Sequence, residues 1–145
     1  MTANLETYVT SMKVLFVCSG NAFRSPVAEA LLKKLKPGIE VDSAGSNPFV
    51  PDAVAGSAIN YLEREGANHF LKRFPEGLTS KQLNDYDLII AMKLEHKDAI
   101  LDRDPECEHK IVVWNIEDPY FLPHGSTEKI FNQIKDKVTE LANSL

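Results

Sequence analysis

The sequence predicts an α/β fold in three layers, with a four-stranded, mainly parallel sheet covered by helices on both faces. Four short apolar runs alternate along the chain with four segments whose apolar residues have helical spacing. Alternation of this kind implies parallel strands joined by right-handed crossovers. With 145 residues, of which 43% are hydrophobic, the chain has enough apolar material for one domain and needs no second one.

The first two elements have the clearest local patterns. The run Val14-Leu15-Phe16-Val17 has the length and branching of a buried strand, and the segment VAEALLKKL after Pro26 has the spacing of a helix. The later elements follow the same alternation, with no internal repeat. The predicted strands cover residues 13–18, 39–43, 87–92 and 110–114, and the predicted helices cover residues 26–35, 53–65, 94–101 and 127–141.

Charge and composition narrow the classes of function. A net charge of −5 and a pI near 5.4 argue against a nucleic-acid partner, and the lack of a long apolar span argues against a membrane partner. The first eleven residues lack the basic and apolar regions of a secretory signal. We expect residues 1–12 to be a poorly ordered extension and residues 13–145 to form the single domain. Two cysteines make no disulfide framework, which favours a reducing, cytoplasmic location.

The loop CSGNAFRSP, residues 18–26, joins the first predicted strand to the first predicted helix. The free N–H groups of a helix's first turn and the positive end of its dipole favour an anion. The small residues Ser19, Gly20 and Ala22 allow the backbone to approach that anion closely. Gly20 and Asn21 also tolerate the positive φ that a tight cradle needs. The loop therefore predicts a phosphate site.

Cys18 and Arg24 add reactivity to this site. A cysteine that faces N–H donors and a fixed cation ionises readily to a nucleophilic thiolate, and an arginine can hold two phosphoryl oxygens at once. The Cys-x5-Arg spacing alone is weak evidence for a reactive site, because the composition gives this spacing by chance with odds of about 0.06. A lone cysteine after a strand is also more often an inert buried residue. The surrounding loop favours the reactive interpretation.

The carboxyl ends of parallel strands meet at one edge of a sheet, where ligands bind. The segments that leave the four predicted strands carry Cys18, residues 43–45, residues 92–93 and Asp118. Asp118 could protonate a leaving oxygen, although an Asp-Pro pair is usually a turn. Asp104, in the second Asp-Pro pair, precedes the fourth strand and serves as a structural control.

The string VCSGNAFRSPVAEALL closely resembles the signature of the low-molecular-weight protein tyrosine phosphatases. The resemblance continues through DSAG at residues 42–45, DLIIAM at 87–92 and EDPYF at 117–121, so it covers nearly the whole chain from Lys13 onward. It implies hydrolysis of phosphotyrosine in proteins by double displacement. Cys18 would attack phosphorus, Arg24 would hold the phosphoryl group, and Asp118 would protonate the leaving oxygen. Water would then hydrolyse the phosphocysteine.

The same resemblance assigns the remaining site residues. The phosphate would bind along the loop, at Ser19, Gly20, Asn21, Ala22, Phe23 and Arg24. The loop would be supported by Asn21, Ser25 and Ser43, and the substrate pocket would be lined by Phe49, Tyr120 and Phe121. The implied partners are a tyrosine-phosphorylated protein or peptide and inorganic phosphate as product, with no cofactor. No metal is implied either, and the four histidines show no ligand spacing.

Four residues depart from the usual family pattern. Phe23 stands where a second cysteine is typical, Lys93 where an Asp follows AM, and Leu78 where a structural His is usual. Ala22 replaces a larger aliphatic residue, or the Thr of related arginine phosphatases. Three alternatives therefore stay open: an arginine phosphatase, an arsenate reductase of the same fold, and a phosphate carrier or binding module that does not hydrolyse its ligand.

Overall fold

Four parallel strands form one sheet within residues 12–48, 54–119, 122–123 and 125–145, which are the residues that the computed structural model describes. The strands are β1 (Lys13–Cys18), β2 (Glu40–Gly45), β3 (Leu88–Ala91) and β4 (Ile111–Val113), in the order β2-β1-β3-β4. This order confirms the predicted four-stranded parallel sheet. β2 continues two residues beyond its predicted end, because Ala44 and Gly45 pair with Val17 and Cys18 of β1.

Every predicted helix is present in the described residues, with shifted ends. The helices are α1 (Arg24–Leu35), α2 (Gly56–Arg64), α3 (Leu94–Arg103) and α4 (Ser126–Ser144). Short 3₁₀ helices occur in the connections, at Asn68–Phe70, Leu78–Ser80, Leu83–Asp85 and Pro105–Lys110. α1 begins two residues before its predicted start, so Arg24 belongs to its first turn. Its apolar spacing starts only after this turn, which explains the difference.

The sheet separates two apolar cores. Alternate residues of β1 face opposite sides, so Val14, Phe16 and Cys18 pack with α1, α2 and α4, whereas Leu15 and Val17 pack on the side of α3. These five side chains are all at most 2% exposed. The arrangement confirms three layers with helices on both faces.

Hydrogen bonds continue past the carboxyl ends of the strands and fix the segments that follow. Ser46 N–H donates to the Cys18 carbonyl at 2.9 Å, Trp114 N–H to Ala91 at 2.9 Å, and Ile116 N–H to Met92 at 2.7 Å. One edge of the sheet thus gathers the loop after β1, the start of α3 and the segment that carries Asp118.

The expected extension ends at Met12, whose side chain packs against the core and whose carbonyl accepts the Glu40 N–H at 3.1 Å. Residues 1–11 lie outside the described residues. In the part of the chain that is described, no helix has the length and hydropathy required to cross a bilayer.

Candidate active site

The loop after β1 is shaped by one left-handed residue and one glycine of the neighbouring strand. Asn21 has φ of 55°, which Asn tolerates better than most residues, whereas Gly20 is not in this region. Gly45 ends β2 directly against the loop, and a methyl group added there would lie 2.5 Å from the Ser19 carbonyl oxygen. The loop therefore passes β2 at a distance that requires glycine at position 45.

The backbone of this loop leaves its donors available. Among the described residues, no carbonyl or side-chain acceptor takes the N–H groups of residues 19–23. Next to them, α1 begins at Arg24, where the first N–H groups of a helix have no intrahelical partner. An anion at this position would meet several N–H donors and the positive end of the α1 dipole.

Cys18 lies at the last position of β1 and is 2% exposed. Its Sγ is 2.9 Å from the Ser25 hydroxyl oxygen. That oxygen also accepts a hydrogen bond from the Asn21 side-chain N–H at 2.7 Å, and Ser25 becomes the donor to sulfur whenever Cys18 is a thiolate. Ser25 therefore serves the thiol instead of capping α1.

Asn21 holds the loop with all of its side-chain hydrogen-bonding capacity. Its Nδ2 donates to Ser25 and, at 2.9 Å, to the Ser43 hydroxyl of β2. Its Oδ1 accepts from the Lys72 ammonium and the Glu76 backbone N–H, both at 2.8 Å. The loop-support role expected of Asn21, Ser25 and Ser43 corresponds to direct contacts among these three buried side chains.

Two charged residues that the sequence analysis missed complete this support. Lys72 also donates to the Ser43 carbonyl at 2.8 Å and pairs with Glu76 at 2.8 Å. Glu29 of α1 is 2% exposed and accepts the Ser43 hydroxyl proton at 2.5 Å. The available signal for Glu29 was its position as an acid within the apolar segment VAEALL, residues 27–32. Lys72 lies in an irregular connection and gave no sequence signal.

Asp42, which precedes Ser43 on β2, adds a further charged group beside the residues that support the loop. Asp42 of β2 accepts from Lys81 at 2.6 Å and from the Tyr86 hydroxyl at 3.0 Å. Burial alone would raise the pKa of Asp42, but these contacts and the Ser43 N–H keep it below its ordinary value. The carboxylate of the DSAG segment is therefore ionised at neutral pH.

Arg24 reaches from α1 to the segment that follows β4. One guanidinium nitrogen, Nη1, donates to the Ile116 carbonyl at 2.8 Å. The other, Nη2, is 3.5 Å from Asp118 Oδ2 and 3.4 Å from Ser19 Oγ. The Arg24 side chain is 3% exposed and that of Asp118 is 25% exposed. Arg24, the expected phosphate-binding cation, and Asp118, the expected acid, thus lie next to each other beside the loop.

His96 is a further residue at this edge of the sheet, and its position was not predicted from the sequence. It lies in the first turn of α3, is fully buried, and places Nε2 2.8 Å from Ser19 Oγ. Burial, followed by the charges of Arg24 and Lys93, lowers the pKa of His96 from 6.5 to about 4. The available signal was its position just beyond the third strand, at the ligand-binding edge of the sheet.

Lys93, which departs from the family pattern, links two loops of this edge. Its ammonium donates to Asn115 Oδ1 at 2.9 Å and to Glu117 Oε1 at 2.6 Å. Asn115 has φ of 60°, so the chain turns sharply between β4 and Asp118. Lys93 therefore holds both flanks of Ile116, whose carbonyl accepts from Arg24.

The remaining residues singled out from the sequence are partly placed by the structure and partly outside the described residues. Ala22 is 4% exposed, and Phe23 packs against the core on the α1 side. Leu78 is buried in the opposite core. The three pocket residues, Phe49, Tyr120 and Phe121, lie outside the described residues. No cluster of three or more potential metal ligands occurs in the described ranges.

Comparison with known proteins agrees with this geometry. A family model described as low molecular weight phosphotyrosine protein phosphatase matches residues 13–145. The chain is 31% identical to the low molecular weight protein-tyrosine-phosphatase Wzb of Salmonella typhi, over 92% of this chain and 93% of that protein. It is 30% identical to Etp of Escherichia coli, described in the same terms, over 91% and 93% of the two chains.

A solved structure supports the same assignment. Vibrio vulnificus Wzb, solved in complex with benzylphosphonate, superposes with a TM-score of 0.83 at 27% identity, covering 93% of this chain and 99% of that one. The chain belongs to the family of low molecular weight phosphotyrosine protein phosphatases and is a hydrolase of that class.

Proposed function

We propose that the protein removes phosphate from phosphotyrosine in proteins through a phosphocysteine on Cys18. One observation carries the proposal: the Cys18 sulfur faces the Ser25 hydroxyl at 2.9 Å, while Arg24 at the other end of the loop lies 3.5 Å from Asp118. A nucleophile, a phosphate-binding cation and an acid are thus grouped around one set of free backbone donors.

In the first step the Cys18 thiolate attacks phosphorus, and the bond from phosphorus to the tyrosine oxygen breaks. The carboxylic acid of Asp118 gives its proton to the leaving phenol oxygen. Arg24 and the N–H groups of residues 19–23 donate hydrogen bonds that stabilise the negative charge on the phosphoryl oxygens. The Ser25 proton stabilises the thiolate before attack.

In the second step water attacks phosphorus and gives a proton to the Asp118 carboxylate. The phosphorus–sulfur bond breaks, inorganic phosphate leaves, and the thiolate returns to its hydrogen bond with Ser25. Both steps place the same charge on the same donors, so a loop held rigid by Asn21 stabilises both transition states.

The arsenate reductase alternative has little support from Cys107. The two cysteines lie in opposite cores, separated by the sheet, and both are free. Burial, followed by the charge of Asp104, raises the pKa of the Cys107 thiol. A redox relay needs a reactive thiol that can reach the nucleophile, and Cys107 meets neither condition.

We place the reaction in the cytoplasm, since a thiol nucleophile must stay reduced. We also assign the activity to residues 13–145, the range of the matching family model, with residues 1–12 as an extension. A chain that begins at Met12 should keep the full activity.

One panel of substrates tests the function. The full-length protein is assayed on matched peptides that carry phosphotyrosine, phosphoserine or phosphoarginine, and on arsenate with a thiol reductant. We expect the highest kcat/KM on phosphotyrosine and no turnover by the Cys18→Ser variant. Preference for phosphoarginine would replace the proposed substrate, reduction of arsenate would replace the reaction, and a stoichiometric phosphocysteine without turnover would indicate a carrier.

A further inference from the structure

We propose that His96 is a positioning residue that makes the Ser19 hydroxyl a hydrogen-bond donor to the phosphoryl group. The inference rests on the proposed function, because it concerns an anion bound in the same loop. It assigns a side-chain donor to a loop that otherwise binds through its backbone and Arg24.

The tautomer of His96 is fixed by its own helix. The backbone N–H of Lys93 donates to His96 Nδ1 at 3.0 Å, so Nδ1 carries a lone pair. A neutral imidazole then has its proton on Nε2. The ring stays neutral near pH 7, because burial and the positive charges of Arg24 and Lys93 oppose a second proton.

The proton on Nε2 decides what Ser19 can do. Nε2 is 2.8 Å from Ser19 Oγ, so the hydroxyl oxygen accepts from His96. Arg24 Nη2, also a donor, lies 3.4 Å from the same oxygen. Both lone pairs of the Ser19 hydroxyl oxygen therefore accept hydrogen bonds, and the hydroxyl hydrogen points away from the two donors.

The remaining direction is toward the ligand. Ser19 is the first residue of the loop after Cys18 and is partly exposed, whereas His96 behind it is fully buried. A phosphoryl oxygen in the loop is an acceptor without a proton, so it can take the Ser19 hydrogen. A hydrogen bond to a charged group of this kind corresponds to about a tenfold change in affinity.

A pair of His96 variants separates this role from helix capping. In His96→Asn the side-chain oxygen can still accept the Lys93 N–H, but the side chain is too short to reach Ser19. In His96→Gln the amide reaches Ser19, but the acceptor at the Nδ1 position is lost. Calorimetry with inorganic phosphate and the full-length protein measures the dissociation constant. We expect His96→Asn to weaken phosphate binding about tenfold and His96→Gln to bind like the wild type.

Ser19 provides the coupled test. Ser19→Ala should also weaken phosphate binding about tenfold, Ser19→Thr should keep the affinity, and His96→Asn should cost nothing more in the Ser19→Ala background. Additive losses, equal losses in His96→Asn and His96→Gln, or unchanged affinity in Ser19→Ala would each overturn the inference. If the His96 variants do not fold, unchanged affinity in Ser19→Ala still overturns the inference. Phosphate affinity is measured without turnover, so an inactive wild type would count against the proposed function alone.

Discussion

An Asp-Pro pair, a cysteine and a histidine occur together in two regions of this chain, and only one of these sets lies at the carboxyl edge of the sheet. The segment Asp104–Lys110 contains an Asp-Pro pair, a cysteine and a histidine, as the active site does. Asp104 caps the 3₁₀ helix by accepting the Glu106 N–H at 3.1 Å, and Cys107 donates to the Asp104 carbonyl at 3.1 Å. These contacts are all local, within three residues.

The active-site set is joined by contacts across the sequence. Arg24 meets Asp118 and the Ile116 carbonyl, and Ser19 meets His96. The difference teaches that the position of a side chain at the carboxyl edge of the sheet, and not its residue type, decides its chemical use. Asp104, Cys107 and His109 are therefore controls for Asp118, Cys18 and His96.

The two cysteines should give the largest contrast. Cys18→Ser should lower the hydrolysis of p-nitrophenyl phosphate at least about a thousandfold, because the nucleophile is lost. Cys107→Ser should keep the wild-type rate. Steady-state kinetics of both variants measures the contrast, and an inactive but folded Cys107→Ser protein would contradict it.

The two Asp-Pro pairs should differ next. Asp118→Asn should slow the hydrolysis of phenyl phosphate about a hundredfold and that of p-nitrophenyl phosphate less, because a good leaving group needs little protonation. Asp104→Asn should leave both rates unchanged, since Asn also caps a helix. Equal slowing of the two substrates by Asp118→Asn would speak against its role as the acid.

The burial of His96 should make the free energy of unfolding depend on pH. An unfolded histidine binds its proton near pH 6.5, but His96 binds one only near pH 4. The unfolded state thus binds more protons between these values, and stability falls as the pH drops through this window, by a total on the order of 3 kcal/mol. Urea unfolding at pH 7 and pH 4.5 should show this loss for the wild type.

His96→Gln should lose this part of the pH dependence. The same measurement on His109→Gln is the control for replacing a histidine whose side chain is exposed. A wild-type slope in His96→Gln would show that the carboxylates, such as Asp42 and Glu76, account for the whole acid sensitivity.

Lys93, which directly precedes α3, and Lys97 of α3 should give the smallest contrast. Lys93 and Lys97 have side chains that are 25% exposed, but Lys93 pairs with Glu117 next to Asp118, whereas Lys97 pairs with Glu108. Lys93→Gln should lower kcat on phenyl phosphate about two- to fivefold, in line with the energy of a partly exposed ion pair. Lys97→Gln should not change kcat, and a loss in both variants would indicate a general effect on α3.

The sequence predicted the fold, and it indicated the candidate reactive residues, because their signals are local. The strand before Cys18, the loop and the helix after it lie within one stretch. The alternation of apolar runs and helical segments along the chain predicts the α/β fold. β1 was predicted with its observed ends. Asp118 became the candidate acid through its place after the fourth strand and the resemblance of EDPYF.

Lys72 and His96 could not be predicted in this way, since their partners are distant in sequence. Lys72 meets Asn21 across 51 residues, and His96 meets Ser19 across 77. Neither residue stands out in its own segment. Their roles come from the packing of the 66–86 connection and α3 against the loop, which no local pattern encodes.

Gly45 has a consequence for tolerance to mutation. It takes no part in the chemistry, yet any side chain there would push against the Ser19 carbonyl and the Asn21 amide. In a screen of all single substitutions for activity, substitutions at position 45 should therefore be tolerated as poorly as substitutions at position 18. Such a screen would trace the backbone that the loop rests on, along with the groups that react.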